Sequence, residues 1–193
     1  MDRKSIQEQR KRGYFIEAAK KLIQEEGVDN ITVKKIADLA GFAPATLYNY
    51  FSDIDELFYV CAYDFWDECM IFVQTRAKDK KLENKIVDFS KAYAEFFINN
   101  PNIFELLFLK DFEAFKKEAI KPPEVALLLQ KTLITAVEEG LISEEKLFIL
   151  ENIIGSSIHG LLLFYIRRRT DANKEQIIQL VEEQVSYVLN SCK

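Results

Sequence analysis

Residues 32–51 read TVKKIADLAGFAPATLYNYF, and the glycine in the middle of that stretch sharply limits what the chain can fold into. Two short amphipathic segments flank Gly41. Ile36, Ala37 and Ala40 face inward from the first, Leu47 and Tyr50 from the second. Ala37 is small where two helices must cross closely. Gly41 supplies the positive φ that a tight connection requires, at no steric cost. Thr32 stands where its side chain can cap the first segment and satisfy otherwise orphan N–H groups. This is the pattern of a helix-turn-helix, a pair whose second helix fits the DNA major groove.

The rest of the chain is punctuated as helices too. Gly27, Gly41 and Gly140 each follow an apolar-periodic segment, as C-terminal cap glycines do, and Pro44, Pro101 and Pro123 stand where helices begin. No run of strand alternation and no fixed-period repeat is present. The expected fold is all-α, with nine helices near 4–26, 33–40, 44–50, 53–77, 82–99, 101–117, 123–139, 143–169 and 173–190. The first has Ser5–Glu8 as a capping box and an inward stripe of Phe15, Ala18, Ala19, Leu22 and Ile23. Towards the N-terminus that stripe fades into Arg3, Lys4, Arg10, Lys11 and Arg12, which fit either a solvated first turn or a basic arm near a nucleic-acid backbone.

Charge divides the chain unevenly. Residues 1–51 carry nine Lys or Arg against seven Asp or Glu; residues 52–193 carry 17 against 24. A mildly basic head on an acidic body directs only the head towards phosphates. The single histidine and three cysteines exclude a His-rich metal centre and a disulfide framework. Cys61 and Cys69 lie two helical turns apart, about 12 Å, beyond disulfide reach. No metal or cofactor is expected. The charged N-terminus lacks the apolar stretch of a secretory signal. The apolar zone 153–166 is short and interrupted by Ser156, Ser157 and His159, so a cytoplasmic protein without a membrane span is expected.

The stretch ITVKKIADLAGFAPATLYNYFSDIDELF, together with the preceding AAKKLIQEEGVDN, resembles the N-terminal domain of the TetR family of bacterial transcriptional repressors. The resemblance covers residues 14–58; residues 59–193 show only a compatible helical pattern. It implies a DNA-binding domain over 1–51 and a helical ligand-binding and dimerisation domain over 52–193. By the same resemblance, Thr32 and Lys34 meet phosphates or a base edge at the start of the first short helix. Pro44, Ala45 and Thr46 open the recognition helix, where apolar surfaces suit thymine methyl groups. Tyr48 and Tyr50 match aromatic positions whose hydroxyls reach phosphate oxygens, contacts that position without reading sequence. Asn49 occupies a variable position at the DNA face. Tyr50 also fits a partly buried site, and Asn49 a solvated one. Two residues depart from the family pattern. Ala43 replaces the usual Ser or Thr cap of the recognition helix, and Ile54 stands where a Lys commonly meets the DNA backbone.

In the body, the fourth helix carries two apolar stripes: Phe58, Cys61, Phe65, Cys69 and Phe72 on one side, Tyr59, Tyr63, Trp66, Met70 and Val73 on the other. Phe89, Tyr93, Phe96, Phe97, Phe104, Phe108, Phe112 and Phe115 follow. These rings suit either ordinary packing or an apolar or aromatic ligand pocket. The candidate ligand contacts are Tyr63, Trp66, Met70, Tyr93, Phe97, Phe108 and His159, the last also readable as a satisfied core histidine. The segments 143–169 and 173–190 remain apolar on faces beyond what one subunit buries, with Gly155, Ser156 and Gly160 allowing close helix approach. The resemblance implies a two-fold dimer through them. The reading is a homodimeric, ligand-responsive repressor of double-stranded operator DNA, not an enzyme, released by a small apolar or aromatic effector. The alternative is a helical binding protein or enzyme for apolar molecules with no DNA role.

Overall fold

The computed structural model describes residues 3–78, 81–111 and 123–192. Among them are nine α-helices and no strand: α1 (Arg3–Glu26), α2 (Val33–Ala40), α3 (Pro44–Leu47), α4 (Ile54–Arg76), α5 (Leu82–Asn99), α6 (Pro101–Phe108), α7 (Glu124–Glu138), α8 (Leu147–Ile166) and α9 (Lys174–Ser191). The all-α class is confirmed, and several boundaries move for identifiable reasons. The third helix keeps α-helical bonding only to Leu47; Asn49 and Tyr50 donate to carbonyls three residues back, which tightens the last turn. The sixth ends at Phe108 rather than 117, and residues 112–117 of that expectation lie outside the described residues, as do Phe112 and Phe115. The eighth ends at Ile166 because Arg168 adopts φ 52°, a left-handed conformation no helix continues through. Its first residues, Glu144–Lys146, form a separate 3-10 turn.

Caps account for two further corrections. Ser5 lies inside α1, so it caps nothing, and Glu8 bonds elsewhere. Pro123 precedes α7 with an extended backbone instead of forming its first turn. A reciprocal capping box does exist at α9: Asn173 accepts from the Gln176 N–H at 2.9 Å, and the Gln176 side chain accepts from the Asn173 N–H at 2.8 Å.

The described chain forms two compact units, residues 1–65 with 100–121 and residues 66–99 with 122–193. The first unit's core is the predicted α1 stripe: Phe15, Ala18, Ala19, Leu22 and Ile23 are all buried. Ile36, Ala37, Leu47 and Phe51 join them from the helix pair. Asn102 of α6 ties this core to the end of α1 by donating to the Gln24 carbonyl at 2.9 Å. The second unit packs α5 against α9 and α8. From α8 only Leu150, Ile154, Ile158 and Leu162 are buried, one residue per turn. Ile177, Val181, Val185 and Leu189 do the same on α9. The apolar segment is longer than 153–166: Glu144–Ile166 is long and apolar enough, by length and composition, to cross a membrane. Leu147, Phe148, Ile149 and Leu150 extend the run at its start, so shortness does not exclude a span.

Candidate nucleic-acid interface and ligand cavity

The turn between α2 and α3 forms as its chemistry dictates. Gly41 has φ 80° and ψ 29°, where any Cβ is strained. This lets Phe42 N–H reach back to the Ala37 carbonyl at 2.9 Å and close a Schellman cap. Phe42 then packs its ring 5.2 Å from Phe15 and 6.2 Å from Tyr14. At the other end of α2, Thr32 Oγ1 accepts from Lys35 N–H at 3.3 Å. The α3 start has no side-chain cap, since Ala43 offers none; Pro44 at the first position removes one of the N–H groups that would need one.

One apolar anchor, Leu47, holds α3 to the core, and its other side faces out. Pro44, Ala45, Tyr48 and Asn49 are exposed and Thr46 is half-buried. Tyr48 is 57% exposed, so most of its surface is left to solvent. Thr32 and Lys34 are exposed at the start of α2. The two neighbouring lysines differ. Lys35 is held by the Glu26 carboxylate and donates to the Asn30 carbonyl at 3.0 Å, while Lys34 has no ion pair among the described residues. Lys34 thus projects a solvated ammonium beside Thr32, whereas Lys35 fastens α2 to α1.

Tyr50 is the residue whose surroundings the sequence did not announce. Its hydroxyl donates to Glu8 Oε2 at 2.6 Å, and its ring lies 5.9 Å from that of Phe15. The adjacent carboxylate holds the phenol above its ordinary pKa. Glu8 also lies 3.6 Å from Lys11. A contact between residues 42 positions apart leaves no local signal, so neither periodicity nor motif could have found it. Next to it, Arg12 covers the Phe51 ring, its guanidinium carbon 4.8 Å from the centroid. At the start of α4, Glu56 N–H donates to Asp53 Oδ1 at 2.8 Å and Ser52 N–H donates to Glu56 Oε2 at 2.6 Å. Ile54, lacking any cationic head, opens that helix.

The second unit holds a cavity of about 560 Å³. Trp66, Tyr93 and His159 of the candidate ligand residues line it; Met70 and Phe97 of the same unit do not. Phe97 is fully buried behind the wall, its ring 5.0 Å from Tyr93 and 6.1 Å from Trp66. Tyr63 and Phe108 belong to the first unit: Tyr63 hydrogen-bonds Tyr59 at 2.8 Å between hydroxyls, and Phe108 packs 4.8 Å from Phe104. Tyr93 Oη and His159 Nε2 are 2.9 Å apart. Burial pushes the Tyr93 phenol up and the His159 imidazole down, so both are uncharged at neutral pH. The wall also contains Phe148, Glu151, Asn152 and Ser156, one stripe of α8 that the sequence reading passed over. The spacing of 148, 151/152, 155/156 and 159 marks that stripe, but it is masked by the apolar residues between. Gly155 belongs to it, and a Cβ there would meet nothing within 4 Å; the same holds at Gly160. Neither glycine is needed for close helix approach within this chain.

A helical chain with a glycine-turned helix pair, its second helix exposed along one side, is a helix-turn-helix regulator. Residues 15–60 match the family model described as bacterial regulatory proteins of the tetR family. The uncharacterized HTH-type transcriptional regulator YobS of Bacillus subtilis (strain 168) is 22% identical over 165 residues, 86% of this chain and 83% of that protein. The fold extends over the whole chain. The fatty acid degradation regulator FadR from Bacillus halodurans superimposes with a TM-score of 0.71 at 18% identity, covering 93% of this chain and 94% of that one. RolR, solved with its ligand resorcinol, gives 0.70 at 16% identity, covering 97% and 90%. Residues 15–60 are thus a regulatory domain of the tetR family, and the chain as a whole has the fold of solved TetR-family transcription regulators.

Proposed function

We propose that this regulator is a cytoplasmic homodimeric repressor whose 1–51 segment binds operator DNA and whose 52–193 segment binds a small effector that releases it. The observation that supports DNA reading best is the exposed row Pro44, Ala45, Tyr48 and Asn49 on α3, flanked by the unpaired Lys34. In this reading Pro44, Ala45 and Thr46 meet base edges and Asn49 pairs with a base. Thr32, Lys34 and Tyr48 hold phosphates, and Tyr50 joins them once Glu8 is displaced. One such row is short, and two-fold pairing doubles it across half-sites about 34–36 Å apart.

The pairing surface is the uncovered side of α8 and α9. Phe164, Leu163, Leu180 and Tyr187 are exposed there, Tyr187 at 75%. A second copy of the same helices covers such a surface as an isologous interface. The polar stripe Glu151, Asn152, Ser156 and His159 along α8 argues for a protein neighbour over hydrocarbon, in which those groups would be costly. RolR binds resorcinol, a small aromatic ligand, in keeping with the aromatic cavity here. Effector binding favours a spacing of the recognition helices that no longer fits the half-sites, and operator DNA weakens effector binding by the same factor.

A salt-titrated binding assay on DNA upstream of the protein's own gene tests this reading. Lys34→Ala weakens binding to all sequences and reduces the salt slope by roughly one ion, while Lys35→Ala acts through stability instead. Asn49→Ala costs about 1–3 kcal/mol on the cognate site and relaxes preference at one base position. Wild-type affinity and slope in both Lys34→Ala and Asn49→Ala would overturn these assignments, and a monomer at assay concentration would overturn the dimer.

A further inference from the structure

Two of the cavity's α8 side chains turn a donor back onto their own helix and keep acceptor oxygens. Asn152 Nδ2 donates to the Phe148 carbonyl at 2.8 Å. Ser156 Oγ donates to the Asn152 carbonyl at 2.7 Å. Tyr93 Oη and His159 Nε2 share one hydrogen bond, in which one of the pair donates. Acceptors on the wall include the Glu151 carboxylate, the Asn152 side-chain carbonyl and the lone pairs of Ser156. Glu151 is half-buried and has no ion pair or hydrogen bond among the described residues. Among the described residues that line the cavity there is no lysine or arginine, and burial lowers the His159 pKa, so none of them offsets the carboxylate. The remaining wall is aromatic and aliphatic: Trp66, Phe89, Val125, Leu129 and Phe148. A negatively charged site with aromatic walls attracts a cation through both the charge and the ring faces, and it repels a carboxylate.

We propose that the effector is an organic cation, an aromatic or arylalkyl amine, whose ammonium group sits on Glu151 and whose apolar body lies against Trp66, Phe89 and Phe148. This deepens the ligand-responsive reading and rests on it for its regulatory consequence, but the chemistry of binding stands apart. Trp66 is the chain's one tryptophan, so its fluorescence reports occupancy of this cavity directly.

The test uses the full chain and three probes of one skeleton: 4-phenylbutylammonium, 4-phenylbutanol and 4-phenylbutanoate. Affinities come from calorimetry and occupancy from Trp66 fluorescence. The ammonium is expected to bind roughly tenfold more tightly than the alcohol, with the carboxylate weakest. Glu151→Gln is expected to erase most of the ammonium preference, while Glu175→Gln, an exposed carboxylate on α9, leaves it intact. Equal binding of alcohol and ammonium, tighter binding of the carboxylate, or no binding of any probe overturns the proposal. So does an ammonium preference that survives Glu151→Gln, or one that Glu175→Gln also removes. The wild-type ranking tests the idea without any substitution. Addition of operator DNA separates the two readings. Glu151-dependent binding that leaves the DNA complex intact upholds the cation site and overturns effector release; loss of DNA binding under all conditions overturns the repressor alone.

Discussion

The helix pair and the cavity encode themselves in different ways. The helix pair draws its cap, turn, anchor and exposed row from twenty consecutive residues, and each is set by its neighbours three or four positions away. The cavity collects Trp66, Tyr93, Leu129, Phe148 and His159 from four helices. Its character is set by which side of each helix the others leave uncovered. Local chemistry therefore fixes the first region apart from the bond of Tyr50 to Glu8, whereas the second is fixed only when the helices pack.

That contrast makes quantitative demands, the largest on the buried residue that closes the local core. Phe15→Ala removes a fully buried ring that meets Phe42 and Tyr50, and is expected to cost about 3–5 kcal/mol in urea unfolding. A cost under 1 kcal/mol would show that the helix pair does not depend on that stripe. Thr32→Ala deletes the α2 cap and is expected to cost about 1 kcal/mol, read in the same denaturation series. At the cavity the sign should invert. Gly155→Ala adds a methyl group where nothing lies within 4 Å and relieves a mid-helix glycine, raising stability by about 0.5–1 kcal/mol. A loss of stability there would mean that the wall is closed, not open.

The smallest effect is a pH dependence. His159 has a folded pKa below its unfolded one, so it favours folding fully above about pH 6.5. That contribution fades as pH falls below this value and through the depressed folded pKa. His159→Phe should flatten the acid limb of a melting-temperature profile between pH 6.5 and 5; an unchanged limb would assign acid sensitivity to other groups.

The same contrast explains what could be read in advance. The α1 stripe, the turn at Gly41, the Thr32 cap and the uncapped Ala43 all appear in the structure where the residues placed them, because each depends on spacing within one or two turns. Trp66, Tyr93 and His159 do share one cavity, while Tyr63 and Phe108 fall in the other unit and Phe97 sits behind the wall. Aromatic content carries no information about which side of a ring is left bare. Glu151 was illegible for another reason: a lone acid in an apolar helix reads as a solvated residue until the neighbouring helices surround it.

The hydrogen bond from Tyr50 to Glu8 has a competitive consequence. The hydroxyl already has an anionic partner, so a phosphate that is to meet it must first displace Glu8. If operator DNA uses that hydroxyl as proposed, the head carries its own competitor for it.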